Sequence, residues 1–308
     1  MDEKIQGWIN LFKPKGISSF SAIYKIKKKF NIKKIGHAGT LDPEAEGILP
    51  IAINKTTKLI PFVNVSSKKY LFKVKWGEQT STDDSEGKII NNSNKIPSEE
   101  EINQIIRSFI GYQDQIPPKA SAVKVNGKRA YEVLRENKSF SLESKKVFLK
   151  SITFLFSNDN TSSFEIDCGK GFYVRSLARD IAYKLGTYGH VVELKRTKVG
   201  QFTEKSSILL DDILKIGQSE FEFNCIHSSI SMLDDILAYE VEEKKDLNDL
   251  SLGKSIFINK KKLIKKPLNA LSVCLIFTKS SSKFAFFSVK WPTFVLFNST
   301  TCPYVPNL

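Results

Sequence analysis

The sequence predicts an α+β fold: a mixed, largely antiparallel sheet with helices packed on it, followed by a small C-terminal β-rich unit. Three observations carry this expectation. Stretches such as "YLFKVKWG" and "SFEIDCG" alternate apolar and polar residues with the period of a half-buried strand. Other stretches repeat apolar residues every three to four positions between recognisable caps, as an amphipathic helix does. The two patterns are interspersed without the regular alternation of a doubly wound fold.

In chain order, "SSFSAIYKIKKKF" spaces Ile23, Ile26 and Phe30 at helical intervals after candidate serine caps, with lysines on the opposite face. "YLFKVKWG" then puts Tyr70, Phe72, Val74 and Trp76 on one face of a strand. In "PSEEEINQIIRSFIG", Ser98 and Glu101 form a capping box, Ile102, Ile105, Ile106 and Phe109 make the apolar stripe, and Gly111 is expected to end the helix. A second strand follows with Phe164, Ile166 and Cys168 on one face. A third helix, "RSLARDIAYKLG", lines up Leu177, Ile181 and Leu185 and stops at Gly186. From about Val241 a charged, helix-like "VEEKKDLNDLSLG" leads into the β-rich pieces "SVCLIF", "FAFFSVKW" and "TFVLF", so a domain boundary is placed near residue 240. The last residues, "NSTTCPYVPNL", read as a tail.

The 308-residue chain is 41% hydrophobic and 26% charged, the composition of an ordinary globular protein. No apolar run approaches the roughly 20 residues needed to span a bilayer. The opening "MDEKIQGWIN" lacks the pattern of a signal or transit peptide, so a cytoplasmic protein with no membrane association is expected. Cys168, Cys225, Cys274 and Cys302 are scattered without zinc-like spacing, which argues against a metal site or a disulfide framework. The net charge of +14 favours a polyanionic partner. Among 47 basic residues only six are arginine, and five of these lie between Arg129 and Arg196. In a chain this rich in lysine, a position that holds arginine suggests a need for a planar, forked donor.

The segment "GHAGTLDPEAEGILP", Gly36 to Pro50, stands out chemically. Its glycines permit tight turns and close approach to a ligand, and Pro43 biases Asp42 toward an extended backbone. Local chemistry leaves two readings of Asp42 open: a turn in which it bonds its own backbone, or a reactive carboxylate.

This segment resembles the signature of the B family of pseudouridine synthases (TruB), relatives of dyskerin, in which the aspartate of G-T-L-D-P is the catalytic residue. The resemblance continues in order through "LFKPKGISS", "KKYLFKVKWGEQTSTDDSEG", "SAVKVNGKRAYEVLRE", "GKGFYVRSLARD" and "LGTYGHVVELKRTKVGQF", from Lys13 to Phe202. It departs at Asn54, Thr56, Gly189 and Lys195, where the family usually carries glycine, alanine, alanine and arginine. The resemblance implies a pseudouridine-synthase catalytic domain over 1–240 and a PUA-like RNA-binding domain with a tail over 241–308. It implies isomerisation of a uridine in the T loop of tRNA, at position 55, without cofactor or metal, by a protein expected to be a monomer.

The resemblance also assigns roles. Asp42 is the catalytic carboxylate, as nucleophile or as base toward the sugar. Arg175 is its expected bidentate partner, keeping it ionised and oriented. Tyr70 stacks on the target uracil, Tyr173 enters the site and Leu194 packs against the base. His37 occupies the loop from which the base is extruded. Lys13, Lys124, Lys128, Arg129 and Arg135 are expected to bind RNA, the last four within a basic run from Lys119 to Lys150 that would close on the phosphates of the T arm. Two rivals remain: a protein that only binds or folds tRNA, and an aspartate-dependent hydrolase, for which the second carboxylate constellation is missing.

Overall fold

The computed structural model describes residues 5–63, 67–136, 138–229, 231–232 and 245, and the backbone of five strands between 237 and 298. Alternation and capping act much as the sequence suggests. Strand β1 (Gly7–Lys13) is buried along almost its whole length, and Ser18 caps α1 (Ser19–Lys29), whose Ala22, Ile23 and Ile26 face inward. Strands β2 (Ile35–His37) and β3 (Glu46–Ile53) frame the segment that contains Asp42. A short α2 (Ile60–Val63) precedes β4 (Lys68–Trp76), where Tyr70, Phe72, Val74 and Trp76 are buried and the intervening residues half-buried. Buried Trp76 donates its indole N–H to Ser162 Oγ at 2.7 Å, so its polar atom is not stranded.

After a small hairpin, β5 (Glu78–Thr80) and β6 (Ile89–Asn92), α3 (Glu99–Ile106) begins with the expected reciprocal cap. Ser98 N–H donates to Glu101 Oε2 at 2.9 Å and Glu101 N–H to Ser98 Oγ at 3.2 Å, worth about 1 kcal/mol. Gly111 does not end this helix. The chain tightens into a 3₁₀ turn at Arg107–Phe109, Ile110 is already extended, and Gly111, at φ +108°, opens β7 (Gly111–Gln115).

A second hairpin, β8 (Lys124–Val125) and β9 (Lys128–Arg129), leads into α4 (Ala130–Arg135). Long antiparallel strands β10 (Lys145–Asn158) and β11 (Thr161–Cys168) are followed by α5 (Val174–Lys184), β12 (Gly189–Val199), β13 (Phe202–Thr203), β14 (Ile208–Leu209) and α6 (Leu210–Lys215).

Among the described residues these strands build a ten-stranded sheet ordered β14-β1-β3-β12-β4-β11-β10-β7, with β2 on β3 and β13 on β12. Most neighbours are antiparallel. The parallel exceptions are β1 with β14, and β3 with β12, where Lys195 faces Glu46 and Arg196 faces Gly47. Three apolar clusters lie along this sheet among the described residues, one of them built on Trp8, Ile48, Leu59 and Phe202; the two larger ones flank the short seam. One packs α3 and α5 against β4, β10 and β11; the other packs α1 and α6 against β1 and β3. The α+β class with its largely antiparallel sheet is as the sequence predicts.

Toward the C-terminus the backbone forms a second, antiparallel sheet: β15 (Leu237–Val241), β16 (Leu263–Ile264), β17 (Val273–Phe277), β18 (Lys283–Ser288) and β19 (Val295–Asn298), ordered β16-β15-β17-β18-β19. Its first strand straddles residue 240. The charged stretch beginning at Val241 and the terminal tail lie almost entirely outside the described residues. No helix among the described residues is long and apolar enough to cross a membrane.

Candidate active site

The segment between β2 and β3 is held by bonds to nearly every residue around Asp42. Ala38 N–H donates to Pro50 O at 2.9 Å and Ala45 N–H to Asp42 O at 3.2 Å. Buried Ser19, at the start of α1, donates its hydroxyl to Leu41 O at 2.8 Å and accepts from Leu41 N–H at 2.9 Å. Gly16 N–H reaches Pro43 O at 2.9 Å. The backbone is thus fixed on both sides of the carboxylate, whose side chain keeps 37% exposure.

Arg175 lies in the first turn of α5, 5% exposed. Its Nη2 meets Asp42 Oδ2 at 2.9 Å, while Nη1 meets Asp84 Oδ2 at 3.0 Å. The same two nitrogens donate to Ala120 O and Thr82 O, both at 3.0 Å. This corrects the expected bidentate pair: the fork is shared between two aspartates, because the turn after β5 brings Asp84 to its other arm. Asp84 is itself held by Thr82 Oγ1 at 2.5 Å and Glu86 N–H at 3.0 Å. Burial pushes the Asp42 carboxyl above the ordinary carboxylate range, with the Asp84 charge adding to it, and Arg175 and Lys13 only partly offset the rise. The result is a more basic carboxylate than a simple ion pair would give.

Tyr70 and Tyr173 lie within the electrostatic reach of Asp42. Burial raises the Tyr70 phenol, with the Arg196 guanidinium at its hydroxyl opposing the rise. Tyr173 caps the N-terminal side of α5, half-buried, and its phenol is raised by burial against the pull of Arg175. Its backbone is gripped by Gln115, which accepts from Tyr173 N–H at 2.9 Å and donates to its carbonyl at 3.1 Å. Leu194 is half-buried on β12 and packs against both larger clusters, at the seam between them. His37 sits on β2, half-buried, and burial together with the Arg196 charge lowers its pKa, so the neutral ring is favoured.

The basic residues divide. Lys124, Lys128, Arg129 and Arg135 are exposed on the β8–β9 hairpin and α4. Lys128 pairs with Glu136 at 2.9 Å, and Arg129 donates to Ala122 O at 2.6 Å. This element starts beside the site, since Ala120 O accepts from Arg175 Nη2 at 3.0 Å. Lys13 is different, and its expected RNA contact is corrected. It is fully buried, with Nζ donating to Pro14 O at 2.8 Å, Ile17 O at 2.7 Å and Pro43 O at 3.2 Å. Burial lowers its pKa to about 8. A lysine so enclosed braces the Asp42 segment and offers nothing to a phosphate.

Sequence reasoning missed Asp84, Ser19 and Arg196. Asp84 was present in the quoted "TSTDDSEG", and the scarcity of arginine had marked Arg196 without giving it a task.

Residues 27–174 match the description "TruB family pseudouridylate synthase (N terminal domain)", and residues 175–238 match "tRNA pseudouridylate synthase B C-terminal domain". The chain is 50% identical over 209 residues to a protein of Ehrlichia ruminantium named tRNA pseudouridine synthase B, covering 67% of this chain and 71% of that one. It is 40% identical over 257 residues to the protein of the same name from a Caulobacter species, covering 83% of each. A solved structure entitled "Crystal Structure of a Cbf5-Nop10-Gar1 Complex" aligns with TM-score 0.56 at 28% identity, over 75% of this chain and 60% of that chain. A second, an H/ACA ribonucleoprotein bound to a substrate RNA containing 2'-deoxyuridine, shares the fold with TM-score 0.62 at 23% identity, over 82% of this chain and 68% of that chain.

Proposed function

The chain belongs to the TruB family of pseudouridylate synthases, isomerases that act on RNA, and we propose that it converts a uridine in the T loop of tRNA to pseudouridine with Asp42 as the catalytic carboxylate. The name shared by its relatives supports tRNA as the substrate. One observation carries the role of Asp42: an accessible carboxylate on a tightly held backbone, tied at one point to buried Arg175 and within reach of two tyrosines.

The reaction breaks the bond from uracil N1 to ribose C1′, turns the base in place and joins C5 to C1′. The proton lost from C5 balances the proton gained at N1, so oxidation state does not change. Asp42 acts in its ionised form, either on the sugar as a base or as a nucleophile. Arg175 holds one carboxylate oxygen and leaves the other for the substrate. Extruding the uridine from a folded loop costs about a few kcal/mol. Tyr70, Tyr173 and Leu194 recover part of this by stacking and apolar contact, and His37 fills the vacated space. Lys124, Lys128, Arg129 and Arg135 grip the T-arm backbone, the segment after residue 240 adds RNA affinity as a PUA-like module, and the protein works as a cytoplasmic monomer.

Unmodified tRNA incubated with the purified protein and mapped for pseudouridine at single-nucleotide resolution tests the reading. Modification at the T-loop uridine is expected; modification elsewhere alone, or none, would overturn it.

A further inference from the structure

Arg196 is 1% exposed, yet its guanidinium has no carboxylate partner among the described residues. Its charge is met by backbone carbonyls: Nε donates to Ile48 O at 2.7 Å, Nη2 to Gly39 O at 3.0 Å and Nη1 to Thr40 O at 3.5 Å. All three belong to the segment that carries Asp42, two before it and one after. In the sheet Arg196 pairs with Gly47 on one side and with Tyr70 on the other, so one residue touches the strand that ends the Asp42 segment and the strand that holds the stacking tyrosine.

The backbones approach closely at Gly47 whatever side chain residue 196 carries, and a Cβ at Gly39 would make only an ordinary contact with the guanidinium. A Cβ at Gly47 would fall 2.2 Å from Arg196 O, and one at Gly39, where φ is +101°, would fall 3.4 Å from Nη1. Burying a guanidinium costs several kcal/mol of desolvation, and the bonds to three carbonyls offset that cost only while the fork stays in place. A planar fork is needed only if three carbonyls must be held at fixed angles. The fork bonds the loop on the His37 side, while Ser19 fixes Leu41, the residue next to Asp42, from α1.

We propose that Arg196, with Ser19 as a second anchor, is a positioning residue: it sets the backbone angle from which Asp42 presents its carboxylate, beside the strand that carries Tyr70. Neither residue touches the substrate in this account. The inference rests on the reading of Asp42 as the reactive group.

The test compares the parent protein with Arg196→Lys and Ser19→Ala in three measurements: single-turnover conversion of a T-arm hairpin, affinity for that hairpin, and thermal melting. Lysine keeps the charge but reaches fewer carbonyls. Its rate, corrected for the folded fraction, is expected to fall about thirtyfold or more, with affinity within about threefold. Ser19→Ala is expected to react about three- to tenfold more slowly at parental affinity. A purely structural role predicts lower melting temperatures with parental rates in the folded fraction, and that result overturns the proposal. If Arg196→Lys does not fold, Ser19→Ala decides: a slower rate at equal affinity supports positioning, and a parental rate overturns it. A parent that leaves uridine unchanged overturns the reading of Asp42 and this inference with it, whereas an active parent with two fully active variants overturns this inference alone.

Discussion

Replacing Arg175 with lysine perturbs the site while keeping its charge. The guanidinium spans Asp42 and Asp84 at 2.9 and 3.0 Å and also donates to Thr82 O and Ala120 O at 3.0 Å. A lysine ammonium is a single point and cannot reach all four acceptors at once. If it settles on Asp84, the more enclosed of the two carboxylates, Asp42 loses its one oriented partner. A charge-assisted bond is worth about 1.5 to 3 kcal/mol, so the barrier should rise by a similar amount. That corresponds to a rate about ten- to 150-fold slower. RNA affinity should hardly move, since Arg175 is buried. Rapid-quench measurement of single-turnover pseudouridine formation, with a parallel binding titration and melt, separates the effects. A folded Arg175→Lys protein with the parental rate would refute the argument that the shared fork orients Asp42.

Three further outcomes are expected. Because the Asp42 carboxyl titrates above the ordinary value of 3.8, with the Asp84 charge among the causes, activity should fall as pH drops through that raised value; Asp84→Asn should move the acid limb to lower pH, and an unmoved limb in a pH–rate profile counts against the assignment. The same raised value means that the ionised Asp42 slightly opposes folding, so its contribution to stability is greatest at low pH and is lost as pH rises from the unfolded toward the folded value; a flatter pH dependence of melting in Asp42→Asn checks this. Lys13→Met should destabilise the fold by about 2 to 4 kcal/mol by stranding three carbonyls and should leave the salt dependence of RNA binding unchanged, whereas Lys124→Ala and Lys128→Ala should each flatten the log–log slope by roughly 0.7 to 0.9 in a salt titration.

What was legible in the sequence followed the range of the interactions. The cap at Ser18, the Ser98–Glu101 box and the alternation of β4 are set within a few residues, so pattern alone finds them. The strand order is set by distant pairings, and no local pattern announces that β12 joins β3 through two residues. Lys13 was misread for the same reason. The resemblance placed it among the RNA-binding lysines, but it closes a strand buried on both faces by pairings far along the chain. Pairing Arg175 with Asp42 came from the family resemblance, while the split of its fork depends on a turn that brings Asp84 alongside. The helix before Gly111 stopped early because Ile110 extends toward β7, which pairs with β10 more than 30 residues later.

The most direct test of the central claim is Asp42→Asn, which preserves size and much of the hydrogen-bonding geometry while removing the carboxylate charge. Single-turnover conversion of the T-loop uridine should become undetectable, with the protein folded by thermal melting and its tRNA affinity within about tenfold of the parent, some 1.4 kcal/mol. A folded, RNA-binding Asp42→Asn protein that still forms pseudouridine would contradict the account.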